Sequence, residues 1–181
     1  KDERMKLRDL SLIIVGFIFS NVAAACSTLP DDLTAYMQTL DVRYSLIDEK
    51  SLHPEVRWAY EDAVVCIIDD IDGDDRVDYV LAVTDPNPPE YEFQKANVKV
   101  IVFFRKESGY LHEILPYRIG FDLPNPNEIG LIMTPVTGKF EALEETIQLK
   151  NTGIQLSWRY IPVSYVFFWK DSGFVQVPIS D

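Results

Sequence analysis

Val64-Val65-Cys66-Ile67-Ile68-Asp69-Asp70-Ile71-Asp72-Gly73-Asp74-Asp75-Arg76-Val77-Asp78-Tyr79-Val80-Leu81-Ala82-Val83 sets two apolar runs on either side of an acidic bend. Both runs are rich in β-branched residues, which fit a pleated, half-buried surface. Gly73 and the aspartates between them are turn formers. The stretch therefore reads as two strands, 63–68 and 77–84, joined by a charged loop. Strands follow at 98–105, 110–116, 128–134, 144–150, 154–160, 163–170 and 174–179, separated by turn clusters. Lys106-Glu107-Ser108-Gly109, Asn151-Thr152-Gly153 and Lys170-Asp171-Ser172-Gly173 each offer a glycine for positive φ in a tight antiparallel connection. Residues 98–104 are apolar on both faces, as in a central strand. Pro86, Pro88 and Pro89 mark a loop, as do Pro124 and Pro126. Upstream, Leu33, Tyr36, Met37 and Leu40 fall at helical spacing within 29–40, and Pro54 suits the first turn of a short helix over 54–60. No strand-helix alternation and no glycine-rich phosphate loop occur, which argues against a nucleotide-binding α/β fold. The expected class is mainly β (α+β): an antiparallel sheet or sandwich with one or two short N-terminal helices.

Asp70, Asp72, Asp74 and Asp78 stand at positions 1, 3, 5 and 9 of the bend, and the Arg76 carbonyl at position 7 could add an oxygen. Calcium takes several hard oxygen ligands, and alternate carboxylates on a turning backbone can converge on one ion. Carboxylates crowded this closely repel one another, so a cation would relieve a real electrostatic cost. The bend resembles the Asp-x-Asp-Gly-Asp-x-x-x-Asp calcium loop of FG-GAP and VCBS-type repeats, over about residues 64–88. That resemblance implies a bound calcium that stabilises the fold and does no catalysis. It occurs once, whereas a propeller repeats its blade. The closer likeness is to single-domain exported bacterial proteins. The sequence departs from the repeat pattern at position 6, where Asp75 replaces the usual Gly. Asp tolerates a left-handed backbone better than most residues.

The amino terminus carries its own message. Met5-Lys6-Leu7-Arg8 is basic, residues 10–19 are apolar apart from Ser11 and Gly16, and small residues run from 21 to 25. This is the pattern of a secretory signal peptide over 1–25, too short for a transmembrane helix. Ala23-Ala24-Ala25-Cys26 resembles the lipobox of bacterial lipoproteins, which implies lipidation of Cys26 and anchoring in the envelope, with Ser27 matching outer-membrane sorting. Simple cleavage after Ala25 fits the same residues. Cys66 is then a lone buried thiol, or pairs with Cys26 in an oxidising compartment. The organisation expected is leader 1–25, linker and short helices 26–62, and a β domain over 63–181.

The 181 residues hold 17 Lys+Arg against 29 Asp+Glu, a net charge of −12. Removing the leader takes away four basic and three acidic side chains and leaves 13 against 26. Such a surface lacks the basic stripe that nucleic acid requires and favours a basic protein partner. His53 and His112 have no metal-ligand partners at helical spacing, no Gly-x-Ser-x-Gly elbow is present, and adjacent loop carboxylates make a poor glycosidase pair. Trp158, Tyr160, Tyr165, Phe167, Phe168 and Trp169 read first as sandwich core and second as a carbohydrate or peptide platform. Glu90-Tyr91-Glu92-Phe93 reads as a solvated loop before a recognition loop. The expected function is a non-enzymatic periplasmic or outer-membrane binding protein, such as an immunity or inhibitor protein for a basic partner. A structural lipoprotein of an envelope complex comes second, and a hydrolase third.

Overall fold

A computed structural model of the chain describes residues 28–40, 43–48, 50, 52, 54–59, 64–84, 98–116, 130–143, 145–158 and 161–179. The leader, Cys26, His53, the proline loops, Tyr160 and the segment 90–93 lie outside the described residues. Among these residues two helices, α1 (Asp31–Gln38) and α2 (Pro54–Ala59), and eleven strands follow in chain order. The strands are β1 (Ser45–Leu46), β2 (Cys66–Asp69), β3 (Asp78–Thr84), β4 (Val98–Lys106), β5 (Gly109–Ile114), β6 (Leu131–Val136), β7 (Lys139–Glu141), β8 (Thr146–Gln148), β9 (Gly153–Trp158), β10 (Ile161–Lys170) and β11 (Gly173–Ile179). All pairings are antiparallel. One sheet runs β1-β3-β4-β5 with β2 also on β3; the other runs β11-β10-β9-β6; β7 and β8 form a separate hairpin. The expected mainly β, antiparallel α+β class is what the molecule has. β1 and β7, two and three residues long, are too short to leave a periodic signal.

Alternation along β3 and β4 builds two cores from one sheet. Val80 and Ala82 of β3, with Val100, Val102 and Phe104 of β4, face the second sheet's Leu131, Met133, Ile154, Leu156 and Phe167. Tyr79, Leu81 and Val83, with Ile101 and Phe103, turn the other way. There they meet Leu33 of α1, and Tyr36 and Met37 pack against the same cluster. The register puts Tyr79 opposite Phe103, Val80 opposite Val102 and Leu81 opposite Ile101, so equivalent faces coincide. β3 and β4 are thus central strands buried on both faces. Val56 of α2 joins the core between the sheets.

Three local readings need correction. The β10–β11 turn takes its positive φ at Asp171 (50°) and Ser172 (69°), before Gly173 is reached. Gly153 has no positive φ; a Cβ there would come within 2.9 Å of Leu149 Cδ1 and 3.3 Å of the Phe167 carbonyl oxygen, so close packing selects glycine. In the sequence, Ile154, Leu156 and Trp158 alternate with Gln155, Ser157 and Arg159, the pattern of a half-exposed strand, yet Ser157 is buried and its hydroxyl pairs with that of Ser164. Tyr165, Phe167 and Trp169 do belong to or pack against the core between the sheets, as their shared strand face requires.

Candidate metal centre

The acidic loop joins β2 to β3, whose last and first residues, Asp69 and Asp78, are paired across the ladder. Asp78 is fully buried and accepts backbone N–H bonds from Ile71 (2.9 Å), Asp72 (3.4 Å) and Arg105 (2.8 Å). Burial nevertheless dominates and pushes its carboxyl up to about 6, because the ionised form loses more hydration than those bonds restore. Asp70 caps the bend: its two oxygens accept from the N–H groups of Gly73 (2.7 Å), Asp74 (3.1 Å) and Asp75 (2.9 Å). This satisfies the donors of a backbone that turns through left-handed geometry at Gly73 (φ 78°) and Asp75 (φ 62°). Asp75 thus takes a left-handed conformation that glycine adopts most readily.

One oxygen each from Asp70, Asp72 and Asp78 lies within 4.8 Å of the others, so these three carboxylates form a group that could hold a metal ion. The Asp72 side chain is 7% exposed, yet its Oδ1 has no hydrogen-bond partner. A buried, unpartnered carboxylate oxygen is costly, and a metal is one of the few groups that would satisfy it. Asp74 lies apart from this trio. Its Oδ2 pairs with Lys106 Nζ at 2.8 Å, which holds its carboxyl below the usual range. The Arg76 side chain reaches away to Glu107 at 3.0 Å.

The loop is also a fastening between distant elements. Lys106, at the end of β4, binds both Asp72 and Asp74. The Thr152 hydroxyl, before β9 of the second sheet, donates to Asp69. With its amide oriented to satisfy both neighbours, Asn151 accepts from the Gly73 N–H at 3.1 Å and donates to the Lys150 carbonyl at 3.2 Å. A Cβ on Gly73 would meet that side chain at 2.5 Å. Sequence reasoning flagged 106–109 and 151–153 only as turns. It missed Lys106, Asn151 and Thr152 as loop partners because no local pattern records a contact made 34 or 83 residues away.

The remaining candidates sit elsewhere. Cys66 is buried and disulfide-bonded, so it is not the lone thiol first expected, and its partner lies outside the described residues. His112 is exposed on β5 and shares a 3.0 Å hydrogen bond with the Tyr36 hydroxyl. Phe168 and Trp169 help line an open groove of about 730 Å³ that extends from Asp72 and Gly73 past Lys150. Among the described residues, no helix is long and apolar enough to cross a membrane. No family model, curated protein or solved structure matches this chain.

Proposed function

We propose that this chain is an exported, non-enzymatic binding protein whose β2–β3 loop takes up calcium to stabilise the fold, and whose acidic surface receives a basic protein partner. The unpartnered, buried Asp72 Oδ1 among three converging carboxylates carries the metal part of the reading. The donors are all oxygen, which suits a hard ion. The Asp-x-Asp-Gly-Asp spacing supports calcium in particular. The loop already touches the β8–β9 connection through Asp69 and Gly73, so an ion that held the bend would steady those contacts. Its carboxylates are engaged with their own backbone, which suits a structural role better than proton transfer.

Export is supported by the disulfide at Cys66, since such bonds persist in oxidising compartments. With two cysteines in the chain, Cys26 is the intrachain candidate for its partner. A sulfur held in a lipid thioether cannot also form a disulfide, so this bond favours simple cleavage over a lipid anchor. Intact mass before and after reduction decides: a two-hydrogen gain without lipid mass supports the pairing, and a diacylglyceryl mass on Cys26 overturns it. The net charge of −12 supports a basic partner through long-range steering. Capture of a basic protein from periplasmic extract should fade as salt rises. Salt-insensitive recovery of large envelope assemblies would move the protein to the assembly class.

The calcium test is thermal unfolding in millimolar calcium against chelator. Calcium at a hundredfold excess over Kd should raise the midpoint by about 5–10 °C for a chain of this size. Asp72→Ala should abolish the shift. An unshifted wild-type midpoint refutes the metal reading.

A further inference from the structure

We propose that Lys106 is the loop's resident counter-cation and that a divalent ion enters only by displacing its ammonium group. This inference rests on the metal reading of the loop and names how that site is regulated. β4 delivers two things to the loop from adjacent residues. The Arg105 N–H goes to Asp78 Oδ1 at 2.8 Å, and Lys106 Nζ goes to Asp72 Oδ2 and to Asp74 Oδ2. The ammonium thus spans positions 3 and 5 of the bend and occupies one oxygen of Asp72, a member of the trio that would hold the ion. Arg76, the loop's own cation, is committed to Glu107. An ammonium carries one charge and three donors, so it neutralises the bend only in part, and Asp72 Oδ1 stays without a partner.

Calcium would gather oxygens to about 2.3–2.6 Å around itself. A lysine ammonium left among those oxygens would sit a few ångströms from a doubly charged ion, and that repulsion is unscreened beside a buried carboxylate. The Lys106 side chain is 29% exposed, so it has a route to swing into water when displaced. Two consequences follow. The metal-free loop keeps its shape, because Lys106 holds Asp72 and Asp74 together. Calcium affinity is set low, so the site fills where the ion is abundant and stays with lysine where it is scarce.

The experiment is calorimetric titration of calcium into the wild-type protein, Lys106→Met and Lys106→Arg, with thermal midpoints measured after metal removal. Lys106→Met should bind calcium about tenfold more tightly and melt lower without metal, since a nearby positive charge is gone. Lys106→Arg, which keeps the charge, should stay within about threefold of wild type. Equal or weaker binding by Lys106→Met overturns the lysine inference and leaves the metal reading standing. Absence of binding in all three proteins overturns the metal reading and this one with it. Should Lys106→Met fail to fold, the lysine ammonium NMR signal of the wild-type protein decides. Release of its salt-bridge shift on calcium saturation supports displacement, and an unchanged signal refutes it.

Discussion

The acidic loop and the paired strands that carry it are held by opposite kinds of force. β3 and β4 bury apolar side chains on both faces and exclude water from each. The loop between β2 and β3 buries carboxylates, turns their oxygens onto its own backbone N–H groups and borrows a cation from β4. Removing an apolar group from the strands costs hydration energy and packing everywhere it touched. Removing one charge from the loop leaves another buried and unpaired. The apolar interior of the strands should therefore respond to volume and be indifferent to pH and ions. The loop should respond to charge, pH and calcium and tolerate changes of volume at its exposed positions.

The largest expected effect is on the strand side. Phe103 is fully buried in the cluster beneath α1, edge-on to Tyr36 with ring centroids 6.3 Å apart. Phe103→Ala should cost about 3–5 kcal/mol in urea unfolding, the usual range for a core phenylalanine. The loss should be the same in calcium and in chelator. A loss that calcium repairs would show that the two regions are not independent.

That division also explains what the sequence disclosed. Continuous apolar runs exposed β3 and β4, because both faces of each strand are buried in a core and no polar residue interrupts Val80–Val83 or Val100–Phe104. The helical face of α1 was legible for the same reason, through Leu33, Tyr36 and Met37. The spacing of Asp70, Asp72 and Asp78 likewise named the trio the fold brings together. Asp74 escaped from that set because Lys106 takes it, and a turn residue on another hairpin leaves no mark in the loop's own spacing. Gly153 and the Asp171-Ser172 turn were misread for a related reason. Glycine signals either positive φ or close approach, and only the neighbours decide which.

A smaller effect tests the loop through pH. Asp78 titrates at about 6 in the folded metal-free protein against an ordinary 3.8. The native state thus holds a proton that the unfolded chain has released, so stability is greatest below about pH 4 for this group and falls as pH rises toward 6. The full loss is on the order of 3 kcal/mol, from 1.36 kcal/mol per pKa unit. Urea unfolding of metal-stripped protein at pH 4.5 and 6.5 should show the higher pH as the weaker. Calcium favours the ionised carboxylate, so the saturated protein should reverse that slope. A slope of the same sign in both states would place the ion away from Asp78.

The smallest effect is at Asp75, and it separates backbone from charge within the loop. Asp75 sits at φ 62° and Gly73 at φ 78°, so two left-handed residues lie two positions apart. At Gly73 the conformation and the approach of Asn151 both demand glycine. At Asp75 the side chain is exposed and lies outside the carboxylate trio, so only the backbone objects. Asp75→Gly relieves that strain but loosens the unfolded chain, and the net gain should be about 0.5 kcal/mol. Asp75→Asn removes the same charge while keeping a residue that tolerates the left-handed region. If strain is what Asp75 stores, the glycine variant must exceed the asparagine variant in urea midpoint, in metal-free protein and in calcium alike. Equal midpoints would assign the whole effect to charge and return position 75 to the electrostatic side of the comparison.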